Sequence, residues 1–169
     1  MPAAILIGPP GAGKSTVGKA LARRLELPFT DTDHLIEEVA GKKISDIFVE
    51  DGEPYFRDLE EKLVSQAIRD TEGVLSLGGG AVMRSQTQRV LEAHKDKVIF
   101  LEVSISQAAP RVGFNKERPL LAINPRQAWQ SLMEQRLPVY RSLCGFSIST
   151  DSMKPAEVAE KIEEYLEAQ

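Results

Sequence analysis

The chain has a single cysteine and no apolar run long enough to cross a bilayer, and its basic residues are outnumbered by its acidic ones. Each shortage removes a class of protein. A lone thiol, Cys144, makes no internal disulfide, and the opening stretch MPAAILIG has neither the basic start nor the long apolar stretch of a secretion signal, so a reducing cytoplasm is the expected location. A membrane helix takes about 20 apolar residues in a row, so no membrane partner is expected. With 21 Lys and Arg against 25 Asp and Glu, the formal net charge is -4, and no basic stripe offers a track for a nucleic-acid backbone. Any anionic ligand must be held by individually placed cations.

What is present suits one domain spanning residues 1–169, with 42% apolar residues to build its core and no internal repeat or low-complexity tract. Five short apolar segments read as strands: AAILI (3–7), PFTD (28–31), VLSL (74–77), VIFLEV (98–103) and FSIS (146–149). Segments of helical period separate them. One begins at Lys14 and lines up Val17, Ala20, Leu21 and Leu25; another carries Phe56, Leu59, Leu63, Ala67 and Ile68. Strands alternating with helices predict an α/β three-layer sandwich with a five-stranded parallel sheet. The stretch GFNKERPLLAINP (113–125) mixes glycine, proline and charge and is expected to form a mobile lid, and a last helix is expected over 155–168, opened by Pro155.

The most specific signal is GPPGAGKST, from Gly8 to Thr16. Its first eight residues match G-x-x-x-x-G-K-[ST] between a predicted strand and a predicted helix, the setting in which backbone N–H groups and a helix N-terminus cradle phosphates. Gly11, Ala12, Gly13, Lys14, Ser15 and Thr16 are therefore candidate nucleotide-binding residues, with Lys14 reaching the transferred phosphate and the Ser15 hydroxyl available to magnesium. In a parallel sheet, ligands bind beyond the carboxyl ends of the strands. The second strand runs there into Asp31, Thr32 and Asp33, and the third into Gly78, Gly79 and Gly80. Asp33 suits either the cap of a helix beginning at His34 or the acceptor of a hydroxyl proton. The glycines suit either a loose turn or a close approach of ligand to main chain.

Three arginines complete the set. Arg136 shares a helical stripe with Trp129, Leu132 and Met133, and Arg57 follows Phe56 with Glu60 one turn on. Both are read either as internal ion pairs or as bidentate clamps on a carboxylate. Arg118, in the expected lid, is either an exposed charge or a group that stabilises charge on a transferred phosphoryl.

Taken together, GPPGAGKST, DTD, GEPYFRDLE, LSLGGGAV, RPLL and RLPVYR resemble the shikimate kinase family over nearly the whole chain. The resemblance implies a fold like that of nucleoside monophosphate kinases, and transfer of the γ-phosphoryl of MgATP to the 3-hydroxyl of shikimate, a step toward chorismate and the aromatic amino acids. It implies that Lys14 and Ser15 serve ATP and Mg²⁺, that Asp31 supports the metal, and that Asp33 orients the acceptor hydroxyl. Arg57, Arg136 and Gly78 to Gly80 would hold the carboxylate and ring, with Glu60 buttressing Arg57 and with Phe48 and Phe56 as walls. Arg118 would contact the phosphates, while Arg111 and the main chain from Met153 to Pro155 would flank adenine. The lid residues Phe114 and Lys116 depart from the family pattern, and the segment DSMKPAE is one that varies within the family. A monomer is expected. Two other readings stay open from the residues alone: a kinase for another hydroxy acid such as gluconate, and a nucleotide-binding regulatory module without acceptor chemistry.

Overall fold

A computed structural model describes residues 1–112 and 124–169. The elements run β1 (Pro2–Ile7), α1 (Lys14–Leu25), β2 (Phe29–Asp31), α2 (Thr32–Ala40), α3 (Ile44–Glu50), α4 (Glu53–Asp70), β3 (Gly73–Ser76), α5 (Ser85–Glu92), β4 (Val98–Glu102), α6 (Ile105–Val112), α7 (Pro125–Leu143), β5 (Phe146–Ser149) and α8 (Pro155–Glu167). All the strand pairs are parallel, and the sheet order is β2-β3-β1-β4-β5. The five expected strands are the five observed, and no end is shifted by more than one residue.

The centre of the sheet is apolar on both faces, as a parallel strand covered on both sides must be. Because side chains alternate across a strand, Ala4 and Leu6 of β1 join one cluster, with Val17 and Leu21 of α1 and Val158 and Ile162 of α8. Ile5 and Ile7 join another, with Val64 and Ile68 of α4, Leu91 of α5 and Tyr140 and Leu143 of α7. Burying each such aliphatic side chain contributes about 1.5–3 kcal/mol before chain entropy is counted. A third, smaller cluster of Ile36, Ile47 and Phe56 ties α2, α3 and α4 together beside the sheet, with Phe48 packed against it.

Two boundaries depart from expectation, both for capping reasons. Helix α2 begins at Thr32 and its cap is Asp31, whose Oδ1 accepts from the Asp33 backbone N–H at 2.9 Å. Asp33 is therefore in the first turn and is not the cap. The expected lid lies outside the described residues as far as position 123. Its last two residues belong to α7: Asn124 is the cap, its side chain accepting from the Gln127 N–H, and Pro125 takes the first helical position. Among the described residues no helix is long and apolar enough to cross a membrane.

Candidate active site

The register of the sheet brings the site together. Leu6 of β1 pairs with Ser76 of β3, and Asp31 of β2 pairs with the same residue, so the loops after these three strands leave the sheet at one level. They line a cleft of about 310 Å³ with Gly11, Gly13, Lys14, Ser15, Thr16, Asp31, Asp33, Ser76, Leu77, Gly78, Gly79 and Arg111 on its walls.

One side of the cleft is the glycine-rich loop. Gly13 caps α1 with φ 88°, a left-handed conformation that a side chain disfavours, and this turn points the following N–H groups away from the helix. Lys14 Nζ donates to the carbonyls of Gly8 at 2.7 Å and Pro9 at 3.0 Å, which folds the side chain back over the loop. Ser15 Oγ donates to Asp31 Oδ2 at 2.9 Å. Two hard oxygens beside a phosphate cradle fit Mg²⁺, which keeps several waters and takes few protein ligands; no group of three or more acidic, His or Cys residues gathers around a metal position among the described residues. Ala12 is fully buried under the loop. Arg111 Nη1 donates to the Gly11 carbonyl at 3.1 Å and to Thr150 Oγ1 at 3.3 Å, so this guanidinium spans the loop and the end of β5. Met153 packs against the cluster under α8, and Pro155 is exposed at the start of that helix; neither lines the cleft.

The other side is cationic and deeply set. Arg57 Nη1 donates to Glu60 Oε1 at 2.7 Å across one turn of α4, while Arg136 of α7 is only 6% exposed. Both guanidinium groups turn toward Gly80: a methyl group placed there would lie 2.6 and 2.7 Å from two Arg57 nitrogens and 2.8 Å from Arg136 Nη2. Two forks aimed at one point from different helices can grip a carboxylate, whereas each alone would only pair with a neighbour. Burial pushes the Glu60 carboxyl above its ordinary value, and the Arg57 guanidinium offsets only part of that rise. Asp33 and Glu60 both approach Gly78, where a methyl group would lie 2.6 Å from Asp33 Oδ1 and 3.1 Å from Glu60 Oε2. Phe48 and Phe56 meet at 4.9 Å between ring centroids, and the Arg57 guanidinium sits 5.1 Å from the Phe56 ring centre.

The cleft thus sets a glycine-rich loop beside a pair of converging guanidinium groups, with Asp33 approaching the same glycine loop. The family model for shikimate kinase matches residues 10–167. The chain belongs to the shikimate kinase family. It is 50% identical over 167 residues to the shikimate kinase of Thermobifida fusca, covering 99% of this chain and 96% of that protein. To the shikimate kinase of Rhodococcus jostii it is 48% identical over 162 residues, 95% of each chain. Among solved structures, the shikimate kinase of Acinetobacter baumannii in complex with shikimate superposes with a TM-score of 0.91 at 34% identity, over 97% of this chain and 92% of that one. A gluconokinase from Sinorhizobium meliloti, at 22% identity and a TM-score of 0.52, shares the fold alone.

Of the expected site residues, Gly11, Gly13, Lys14, Ser15, Thr16, Asp31, Asp33, Gly78, Gly79 and Arg111 line the cleft, Arg57 and Arg136 meet beside it at Gly80, Ala12 is buried beneath the loop, Met153 and Pro155 sit away from the cleft, and Arg118 lies outside the described residues. Three contributors escaped sequence reasoning. Thr32, fully buried between the two aspartates, accepts from the Gly78 N–H at 3.3 Å. Trp129 Nε1 donates to the Pro10 carbonyl at 2.9 Å, and Tyr140 Oη donates to the Gly79 carbonyl at 2.6 Å. The helical spacing of Trp129, Arg136 and Tyr140 was a signal for a shared face, but not for what that face touches.

Proposed function

We infer that this single-domain protein transfers the γ-phosphoryl group of MgATP to the 3-hydroxyl of shikimate, giving shikimate 3-phosphate and ADP, as a cytoplasmic monomer supplying chorismate synthesis. The observation that carries the reading is the pair of guanidinium groups converging on Gly80 across the cleft from the phosphate loop. A regulatory nucleotide switch has no use for that grip.

Each residue's task follows from its place. Backbone N–H groups from Gly11 to Thr16 hold the phosphates, and the Lys14 ammonium moves from the Gly8 and Pro9 carbonyls to the anionic ligand. Ser15 and Asp31 would hold Mg²⁺, which would neutralise phosphate charge. Arg57 and Arg136 take the acceptor's carboxylate, and the Gly78–Gly80 backbone lets the ring lie close. Glu60 keeps Arg57 in its orientation. Asp33 accepts the proton of the attacking hydroxyl, and its carboxylate is kept off the phosphate oxygens because its own helix, capped by Asp31, fixes where the first turn points. Arg118 is assigned to the transferred phosphoryl, and Arg111 with the segment from Met153 to Pro155 to the adenine side. Catalysis here is mostly placement and charge stabilisation.

An ADP-release assay with shikimate, with gluconate and with no acceptor tests the reading. ADP is expected to appear with shikimate alone; equal rates in all three would refute it.

A further inference from the structure

Helix α7 touches both halves of the site through two side chains that hold backbone carbonyls, one of which, Tyr140, also hydrogen-bonds Arg136. Trp129 and Tyr140 lie three turns apart on the face that also carries Arg136. The indole N–H of Trp129 is given to the Pro10 carbonyl in the phosphate loop, and the Tyr140 hydroxyl to the Gly79 carbonyl in the acceptor loop. Trp129 is 6% exposed and Tyr140 is fully buried. The two loops also touch each other where their carbonyls are held: a methyl group on Gly79 would lie 3.1 Å from Pro10 Cδ and 3.5 Å from the Gly8 carbonyl oxygen. These are the backbone segments with the least side chain to fix them, since Gly78 to Gly80 has none and the phosphate loop holds Gly8, Gly11 and Gly13. A peptide plane that can rotate turns its N–H out of the site along with its carbonyl. Fixing the carbonyl from behind fixes the N–H in front.

We propose that Trp129 and Tyr140 are positioning residues, which set the phosphate loop and the acceptor loop at a fixed separation along the rigid rod of α7. The inference deepens the phosphotransfer reading and rests on it. A purely structural role would also bury both rings and satisfy both polar atoms, but it would not separate the two substrates. Positioning does: Trp129 governs nucleotide, and Tyr140 governs the acid.

The test is calorimetric binding of ADP and of shikimate, each alone, to the parent, to Tyr140→Phe and to Trp129→Phe. A further protein carries β-(3-benzothienyl)alanine at position 129, which keeps the two fused rings and puts a sulfur, which cannot donate, in place of the N–H. Losing a neutral hydrogen bond of this kind is expected to weaken binding about 3- to 10-fold. Tyr140→Phe is expected to show that loss for shikimate with ADP unchanged, and both position-129 replacements the reverse. Equal losses for both ligands in each variant, or no loss in either, would overturn the proposal, whatever happens to the melting temperature. A parent that binds ADP but not shikimate would refute the substrate assignment, and the position-129 proteins would still decide whether Trp129 positions the phosphate loop.

Discussion

Substituting Gly80 by alanine separates the site from the fold, and the structure sets the size of the effect. Gly80 has φ -95° and ψ -3°, a conformation open to any residue, so the backbone loses nothing by gaining a methyl group. The space is the obstacle. The methyl carbon would start 2.6 and 2.7 Å from Arg57 nitrogens and 2.8 Å from Arg136 Nη2. Ordinary contact is about 3.5 Å, so both forks must withdraw by somewhat under an ångström. That is enough to stretch a charge-assisted bond of about 2.8 Å beyond hydrogen-bonding range. One such bond is worth about 1.5–3 kcal/mol, which at a factor of ten per 1.4 kcal/mol becomes a rise of about 10- to 150-fold in the KM for shikimate. The KM for ATP should stay within about twofold, and the melting temperature should hold or rise slightly, because alanine has fewer unfolded conformations to lose than glycine. Steady-state ADP release at varied shikimate and varied ATP, with a thermal melt, measures all three. A shikimate KM within about twofold of the parent would mean that the carboxylate is not held between these arginines.

Lys14→Ala should lower kcat by about a hundredfold or more with a smaller change in nucleotide affinity, because the backbone cradle survives the loss of the charge that acts on the transferred group; rapid-quench single turnovers measure it. Asp33→Asn should lower kcat by about 10²- to 10⁴-fold while the protein stays folded, since Asp31 and not Asp33 caps α2, and an unchanged kcat would remove Asp33 from the chemistry. Burial raises the Glu60 pKa, so the folded chain binds this proton more tightly than the unfolded chain: the stability gained from it is present at low pH and lost as pH rises through the raised value. Acceptor binding runs the other way, because ionised Glu60 is what holds Arg57, so the KM for shikimate should climb as pH falls through the same value, and Glu60→Gln should give a high KM with no such acid limb in its pH profile.

Much of this was legible in the sequence because the signals were local. A strand apolar on both faces, a glycine-rich turn and the helix from Lys14 each depend on a short window, and the carboxyl-end rule then placed Asp31, Asp33 and the three glycines on one edge without any knowledge of long-range contacts. Arg136 was conspicuous because a charge on an apolar stripe needs a reason. The rest depended on pairs distant in sequence. Nothing near Trp129 announces Pro10, and nothing near Tyr140 announces Gly79; those hydrogen bonds exist because β1, β3 and α7 meet only in the folded chain. The reading of Asp33 as the cap of a helix beginning at His34 failed for a finer reason. Both are competent caps one turn-start apart, and what decided it was the sheet: Asp31 is held extended by its pairing with Ser76, which leaves its side chain free to reach the Asp33 N–H.

The strand order has a consequence for the protein as it is being made. β1 is made well before the elements that cover it, since its neighbours β3 and β4 lie at Gly73–Ser76 and Val98–Glu102 and the helix that closes the layer over α1, α8, spans Pro155–Glu167. At roughly 5–20 residues per second, the wait from β1 to β4 is about 5 to 18 seconds. During it, an apolar strand has both edges open until β3 is made and one edge open until β4 follows, in the circumstances that favour capture by a chaperone or by another nascent chain. The phosphate loop, the earliest part of the site to be synthesised, acquires its final shape only after α7 and α8 have been made.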